Sequence, residues 1–232
     1  MRIFRAWALG LLAPLALAGC VGGLDLSGAF NFGGSPAPQR VEVTSDALVI
    51  AGPRGFCVDP TATRDDGETA FVLLGNCAAI SGRARAPQPD VAAVLTAAIS
   101  APSQGATLTR SLPDLDDYFR SEDGRGLLSR TGDPDTVDIL ETRQSGAMFL
   151  LHARDTSAGA LAGVAPDYWR AYMDLGSRVV TLSLLSLADP DLADATALAT
   201  LTRFATAVRG ANGAPEAAAI AADLPQGADQ DG

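Results

Sequence analysis

The chain has 232 residues, with 27 Asp and Glu against 17 arginines, no lysine and one histidine, for a net charge of −10. An acidic surface repels nucleic acid and offers no basic patch for anionic lipid heads. The missing lysines exclude Schiff-base and lysine general-base chemistry, and the length allows one sizeable domain.

Arg2 and Arg5 precede an apolar run from Ala6 to Leu17. Twelve residues fall short of the roughly 20 that a membrane-spanning helix needs, so residues 1–19 read as an export signal. The run ends Leu17-Ala18-Gly19-Cys20, with a branched apolar residue, two small residues and a cysteine. All four positions resemble the bacterial lipobox. That resemblance implies a diacylglyceryl group on the Cys20 sulfur, cleavage before Cys20, and acylation (palmitate) of the new amino terminus. Each buried methylene contributes about 0.8 kcal/mol, and two chains already anchor stably. Cleavage would remove two arginines and no acid, taking the net charge from −10 to −12. Val21, in place of an aspartate, points to the outer membrane, and the expected location is the envelope, lipid-anchored and facing the periplasm.

With Cys20 acylated, Cys57 and Cys77 form an even pair in an oxidising compartment. Redox dithiols favour a Cys-x-x-Cys spacing, which is absent, so a structural disulfide is expected.

Residues 20–39 are rich in Gly, Ser and Pro and read as a flexible tether. A domain is expected over 40–211. Val41 and Val43 alternate with polar neighbours, Ser45-Asp46 turns the chain, and Leu48 to Ala51 continues as strand. Short strands follow at Phe56 to Asp59 and Thr69 to Leu74, separated by the polar loop Pro60 to Gly67, with Gly75-Asn76-Cys77 read as loop. Val91 to Ser100 reads as strand, although its alanines leave helix open. Pro113 in the first turn predicts a helix over Asp114 to Ser121.

Two hairpins come next. Thr136 to Arg143 and Ala147 to Arg154 flank Gln144-Ser145-Gly146, and Tyr168 to Asp174 and Arg178 to Leu187 flank Leu175-Gly176-Ser177. In the second, Val180, Leu182 and Leu184 share a face, opposite Trp169, Ala171 and Met173. The last helix is expected from Asp191 to Arg209. Pro190 sits at its start, Leu192, Ala195, Leu198, Leu201, Phe204 or Ala205, and Val208 lie along one stripe, and Gly210 is the stop. Residues 212–232 read as a disordered acidic tail. The fold class expected is α+β: an antiparallel sheet of hairpins covered by a long C-terminal helix and a shorter central one.

Few residues invite chemistry. His152, the one histidine, shares a strand face with Met148, Leu150 and Arg154, which suits a structural role. Gly33-Gly34-Ser35-Pro36-Ala37 lacks the last glycine of a nucleophile elbow and is rejected. Asp133, Asp135 and Asp138, and Asp189, Asp191 and Asp194, are candidate calcium ligands, but neither set has the twelve-residue calcium-loop pattern. Turn and helix-cap chemistry explains both. Tyr168 and Tyr172 lie on the strand face opposite Trp169, and are a candidate binding surface if exposed.

A strand pair runs into Val49-Ile50-Ala51-Gly52-Pro53-Arg54-Gly55-Phe56. Antiparallel hairpins follow, and the one with Tyr168-Trp169-Arg170 and Val179-Val180-Thr181-Leu182 precedes a long terminal helix. Over about Arg40 to Ala211 this order resembles the Mog1/PsbP-like fold of some bacterial envelope lipoproteins. The resemblance implies non-catalytic binding or assembly and transfers no functional residue. The expectation is a lipid-anchored envelope protein whose domain binds an envelope protein or small ligand, without cofactor or nucleic acid. The alternatives are an envelope hydrolase using carboxylates, with His152, and a calcium-dependent module.

Overall fold

Two hairpins with two-residue loops set the register of the larger sheet. Strands β7 (Val137–Ser145) and β8 (Met148–Asp155) meet at Gly146-Ala147, and β9 (Val164–Leu175) and β10 (Arg178–Leu187) meet at Gly176-Ser177. Each loop has glycine first, the position where a tight hairpin turn demands positive φ, and Gly146 and Gly176 sit at +57° and +59°. The first loop therefore lies one residue later than the sequence suggests.

The computed structural model describes residues 36–104, 108–158, 163–188 and 192–213. The export segment, Cys20, most of the tether, the tail beyond 213, Asp189 and Asp191 lie outside the described residues. Earlier strands are β1 (Arg40–Val43), β2 (Leu48–Ala51), β3 (Phe56–Val58), β4 (Arg64–Asp65), β5 (Ala70–Asn76) and β6 (Ala93–Ile99). All pairings are antiparallel. β1 and β2 form a separate hairpin, and the eight-stranded sheet runs β3-β5-β6-β10-β9-β8-β7, with β4 also on β5. The fold is thus α+β, as the sequence implies.

One face of the sheet packs on α4 (Asp194–Ala211) and the β1–β2 hairpin. Val180, Leu182 and Leu184 pair with Met173, Ala171 and Trp169, and all six are buried. Leu201, Phe204, Ala205 and Val208 of α4 complete this core with Ile50, Leu74 and Leu95. Burial of each large side chain stabilises the fold by about 1.5–3 kcal/mol. The buried stripe begins at Ala197, while Ala195 is exposed. Gly210 does not stop α4. Asn212 is the C-cap, its amide donating to Val49 O and Val208 O (2.7 Å each) and accepting from Val49 N (2.9 Å). Tertiary bonds to β2 thus fix where the helix ends.

The central helix also differs from expectation. α2 (Leu108–Arg120) starts six residues early and carries Pro113 in its interior. Its first turn is capped from the sheet, because the Asp174 carboxylate accepts from Leu108 N, Thr109 N and Thr109 Oγ1 at 2.9–3.0 Å. Such capping offsets the backbone bond that Pro113 lacks. Ser121 then caps a second helix, α3 (Glu122–Leu128), that the sequence analysis missed. The corner between them is tight: a Cβ on Gly124 would lie 2.0 Å from Tyr118 O. Among the described residues no helix is long and apolar enough to cross a membrane.

Cys57 of β3 is bridged to Cys77, with a Cα separation of 4.8 Å. Cys77 begins a five-residue helix, α1 (Cys77–Ser81), rather than a loop, and the Asn76 side chain caps it. The chain is pinned just before β1, where Gly52 N donates to Gln39 O and Val58 N to Pro38 O.

Arg178, at the start of β10, is only 2% exposed. Its Nε and second terminal nitrogen meet the Asp46 carboxylate at 3.0 Å, and the remaining nitrogen donates to Ser100 O (2.8 Å) and Glu68 O. One guanidinium therefore joins the β1–β2 turn, the β4–β5 loop and the end of β6.

Candidate functional site

The second sheet face is covered only in part. α2 and α3 pack on β7, β8 and β9, where Leu112, Phe119 and Leu128 meet Phe149, Leu151, Ala153 and Tyr168. Phe119 stacks on Phe149 with centroids 5.6 Å apart and lies 5.0 Å from the Tyr172 ring. Asp174 ties α2 to β9, so the helices lie mainly over β7, β8 and β9, and over β10 only Leu185 packs against their cluster. A groove of about 330 Å³ remains there. Its apolar lining is Phe71, Leu73, Val94, Leu128, Val164 and Leu185, and its polar lining includes Thr96, Ser183, Arg130, Asp155 and Arg170, with Tyr168 in the wall. The volume lies at the low end of the ~300–1,000 Å³ typical of small-molecule sites.

Two arginines edge the groove, and they differ. Arg130 is neutralised: its Nε lies 3.3 Å from the Asp155 carboxylate, its backbone N–H donates to that carboxylate at 3.0 Å, and its guanidinium donates to Asp155 O at 2.8 Å. Asp155 is 1% exposed. Burial pushes its carboxyl up, but Ser157 and the Arg130 contacts outweigh that and hold it below the ordinary value. Arg170 instead lies over the Tyr168 ring, 4.7 Å from its centroid, beside Tyr172. It has no carboxylate within ion-pair range among the described residues, and its buried Nε has no hydrogen-bond acceptor there.

Tyr168 and Tyr172 do share the face opposite Trp169, but neither ring stands free. Tyr168 is 6% exposed, donates to Leu128 O at 3.3 Å, and has its phenol pushed up to about 12 by burial. Tyr172 is half-buried under Phe119, with its phenol also raised by burial. His152 lies on the opposite face, buried and stacked on Trp169 (4.5 Å, 10° between planes), with Asp194 3.7 Å from Nε2. Asp133 accepts from Asp135 N and opens a short 3-10 turn, Pro134–Thr136, while exposed Asp138 faces Arg154 in register across the hairpin. Among the described residues no three carboxylate, cysteine or histidine side chains converge as a metal site would require.

Apart from Tyr168, the groove residues are not singled out by the sequence. A signal existed: β10 reads Leu182-Ser183-Leu184-Leu185, apolar on both faces, where a strand with one solvated face alternates.

Several carboxylates set a pH dependence. Asp46 is lowered by the Thr44 hydroxyl and Arg178, Asp59 by Thr61, Asp116 by Thr142 and Arg120, and Asp167 by Arg154. With Asp155, each is depressed in the folded state, so its contribution is complete above the unfolded value of about 3.9 and is lost as pH falls through the folded value. Urea unfolding should give near-constant carboxylate contributions between pH 7 and 5 and a steep loss of stability below about pH 4. A midpoint that rises on acidification from pH 4 to 3 contradicts this. Tyr168 has the opposite sign, its contribution being lost as pH rises from about 10 towards about 12.

No family model matches the chain, and no curated protein matches it. Among solved structures it is similar to the extracellular domain of PknH from Mycobacterium tuberculosis, at 8% identity and a TM-score of 0.30, covering 65% of this chain and 67% of that one.

Proposed function

We propose that the chain is a lipid-anchored envelope protein whose domain binds a ligand non-catalytically in the groove over β5, β6 and β10. The open groove carries this reading. Monomeric domains seldom leave apolar floor of this kind without a binding role, and here side chains from five strands line it. The lipobox resemblance at Leu17 to Cys20 supports the anchor, and Val21 supports an outer-membrane placement. A non-catalytic role is supported by where the reactive candidates lie. His152 is on the far face against Trp169, and Asp133 is occupied in its own turn. The element order that resembles the Mog1/PsbP-like fold points the same way.

The two halves are tested separately. Cys20→Ser should abolish incorporation of labelled palmitate and release the protein from membranes, and normal membrane retention would overturn the anchor. For the groove, photo-crosslinking residues placed in cells at Phe71 and Leu185 should give adducts that a probe at Leu127, 71% exposed on α3, does not. Equal yields at all three positions would overturn the binding reading.

A further inference from the structure

We propose that the groove takes an amphiphile with an anionic head, the head held by Arg170, Ser183 and Thr96 and the apolar part lying on Val94, Leu185 and Leu73. This deepens the groove reading and rests on it. The sheet register makes the case. Thr96 pairs with Ser183 and Ser183 with Arg170, so the three lie in one row across β6, β10 and β9. Neighbouring strands are about 4.8 Å apart, which places the three groups within about 10 Å of one another along the groove floor. None has a carboxylate facing it: neither hydroxyl has a hydrogen-bond partner among the described residues, and Arg170 has only the Tyr172 hydroxyl beside it, with its Nε buried without an acceptor.

Apolar groups flank the row. Val94, Leu185 and Tyr168 form the next row on one side, Phe71 and Ala98 lie on the other with Thr181 and Tyr172 continuing that row, and Leu73 ends the donor row at β5. Such a floor discriminates by chemistry. A purely apolar occupant strands three donors away from water, a cost of about 1–3 kcal/mol for each buried group. A cationic head meets Arg170 with like charge. A neutral head leaves the cation uncompensated, since the other groove arginine is already matched by Asp155. An anionic oxygen head satisfies both hydroxyls and accepts charge-assisted bonds from the guanidinium, which are about twice as strong as neutral ones. Tyr168, under the Arg170 guanidinium, holds that cation by its ring face.

Calorimetric titration of the full chain with laurate and with dodecanol, both below their aggregation concentrations, tests this. Laurate should bind at least tenfold more tightly than dodecanol. Arg170→Gln should remove that difference by weakening laurate binding. The double variant Thr96→Val, Ser183→Ala should reduce the difference, and it keeps the test decisive if Arg170→Gln fails to fold. Equal binding of laurate and dodecanol by the natural chain overturns this inference and leaves the groove reading standing. Laurate selectivity unchanged in all variants overturns it as well. Absence of binding by either probe overturns the groove reading itself.

Discussion

Arg178→Met should lower stability by about 3 kcal/mol, because hydrogen bonds to a buried charged group contribute roughly 1.5–3 kcal/mol each and their loss strands acceptors. The side chain is 2% exposed and serves three segments at once: the Asp46 carboxylate, Glu68 O and Ser100 O. Methionine has a similar unbranched stem, so packing is largely kept and the loss isolates the guanidinium. Asp46, with a side chain 53% exposed, regains water when its partner is removed, so the cost falls mainly on the bonds to the Glu68 and Ser100 carbonyls. For a domain of this size, thermal unfolding should shift down by about 6–12 °C, at 2–4 °C per kcal/mol. Lysine at 178 should recover only a fraction, since an ammonium cannot present two parallel donors to a carboxylate while reaching two carbonyls. Asp46→Ala should cost as much as Arg178→Met, because it leaves the buried cation without its carboxylate. A melting temperature for Arg178→Met within 2 °C of the natural chain contradicts the clamp.

What was legible in the sequence is what depends on local periodicity. Val180, Leu182 and Leu184 opposite Trp169, Ala171 and Met173 could be paired in advance because a strand's period of two leaves one choice of face. α4 was legible for the same reason, through Leu201, Phe204 and Val208. Several misses involve partners distant in sequence, whereas α1 and α3 begin at local caps, Asn76 and Ser121. α2 begins at Leu108 because Asp174, 66 residues later, caps it, and nothing near Leu108 announces that. Asn212 overrides Gly210 through bonds to Val49, 163 residues away. Arg178 read as an ordinary hairpin residue, and its burial emerges only when three segments converge on it. The groove was hidden similarly. Leu185 and Val94 look like core positions in a strand, and only the limited reach of α2 and α3 leaves them half-buried. Tyr168 and Tyr172 were placed on the right face, but the helix that covers them was drawn too short.

Removing the bridge with Cys57→Ala and Cys77→Ala together should lower stability by about 3 kcal/mol, the chain-entropy value for a closed loop of this length. The double variant is the cleaner one, since a single substitution leaves a free thiol beside the sequence's third cysteine, Cys20. The loss should concentrate at one corner of the fold. β3 has three residues, lies at the sheet edge, and pairs only with β5 among the strands of that sheet. Beyond the bridge it is held by Cys77 N donating to Gly55 O and by Val58 N donating to Pro38 O. Hydrogen exchange should therefore rise first at Phe56, Val58 and Cys77 in the bridgeless variant, while β8 and β9 keep their protection. Both cysteines are buried, at 3% and 2% exposure, so a thiol reductant must wait for this corner to open. Reduction of the natural chain should be slow in buffer and rapid in urea below the unfolding midpoint. Exchange that rises uniformly across the sheet, or reduction at the same rate with and without urea, contradicts a local opening at this corner. An unchanged melting temperature in the double variant contradicts the stabilisation itself.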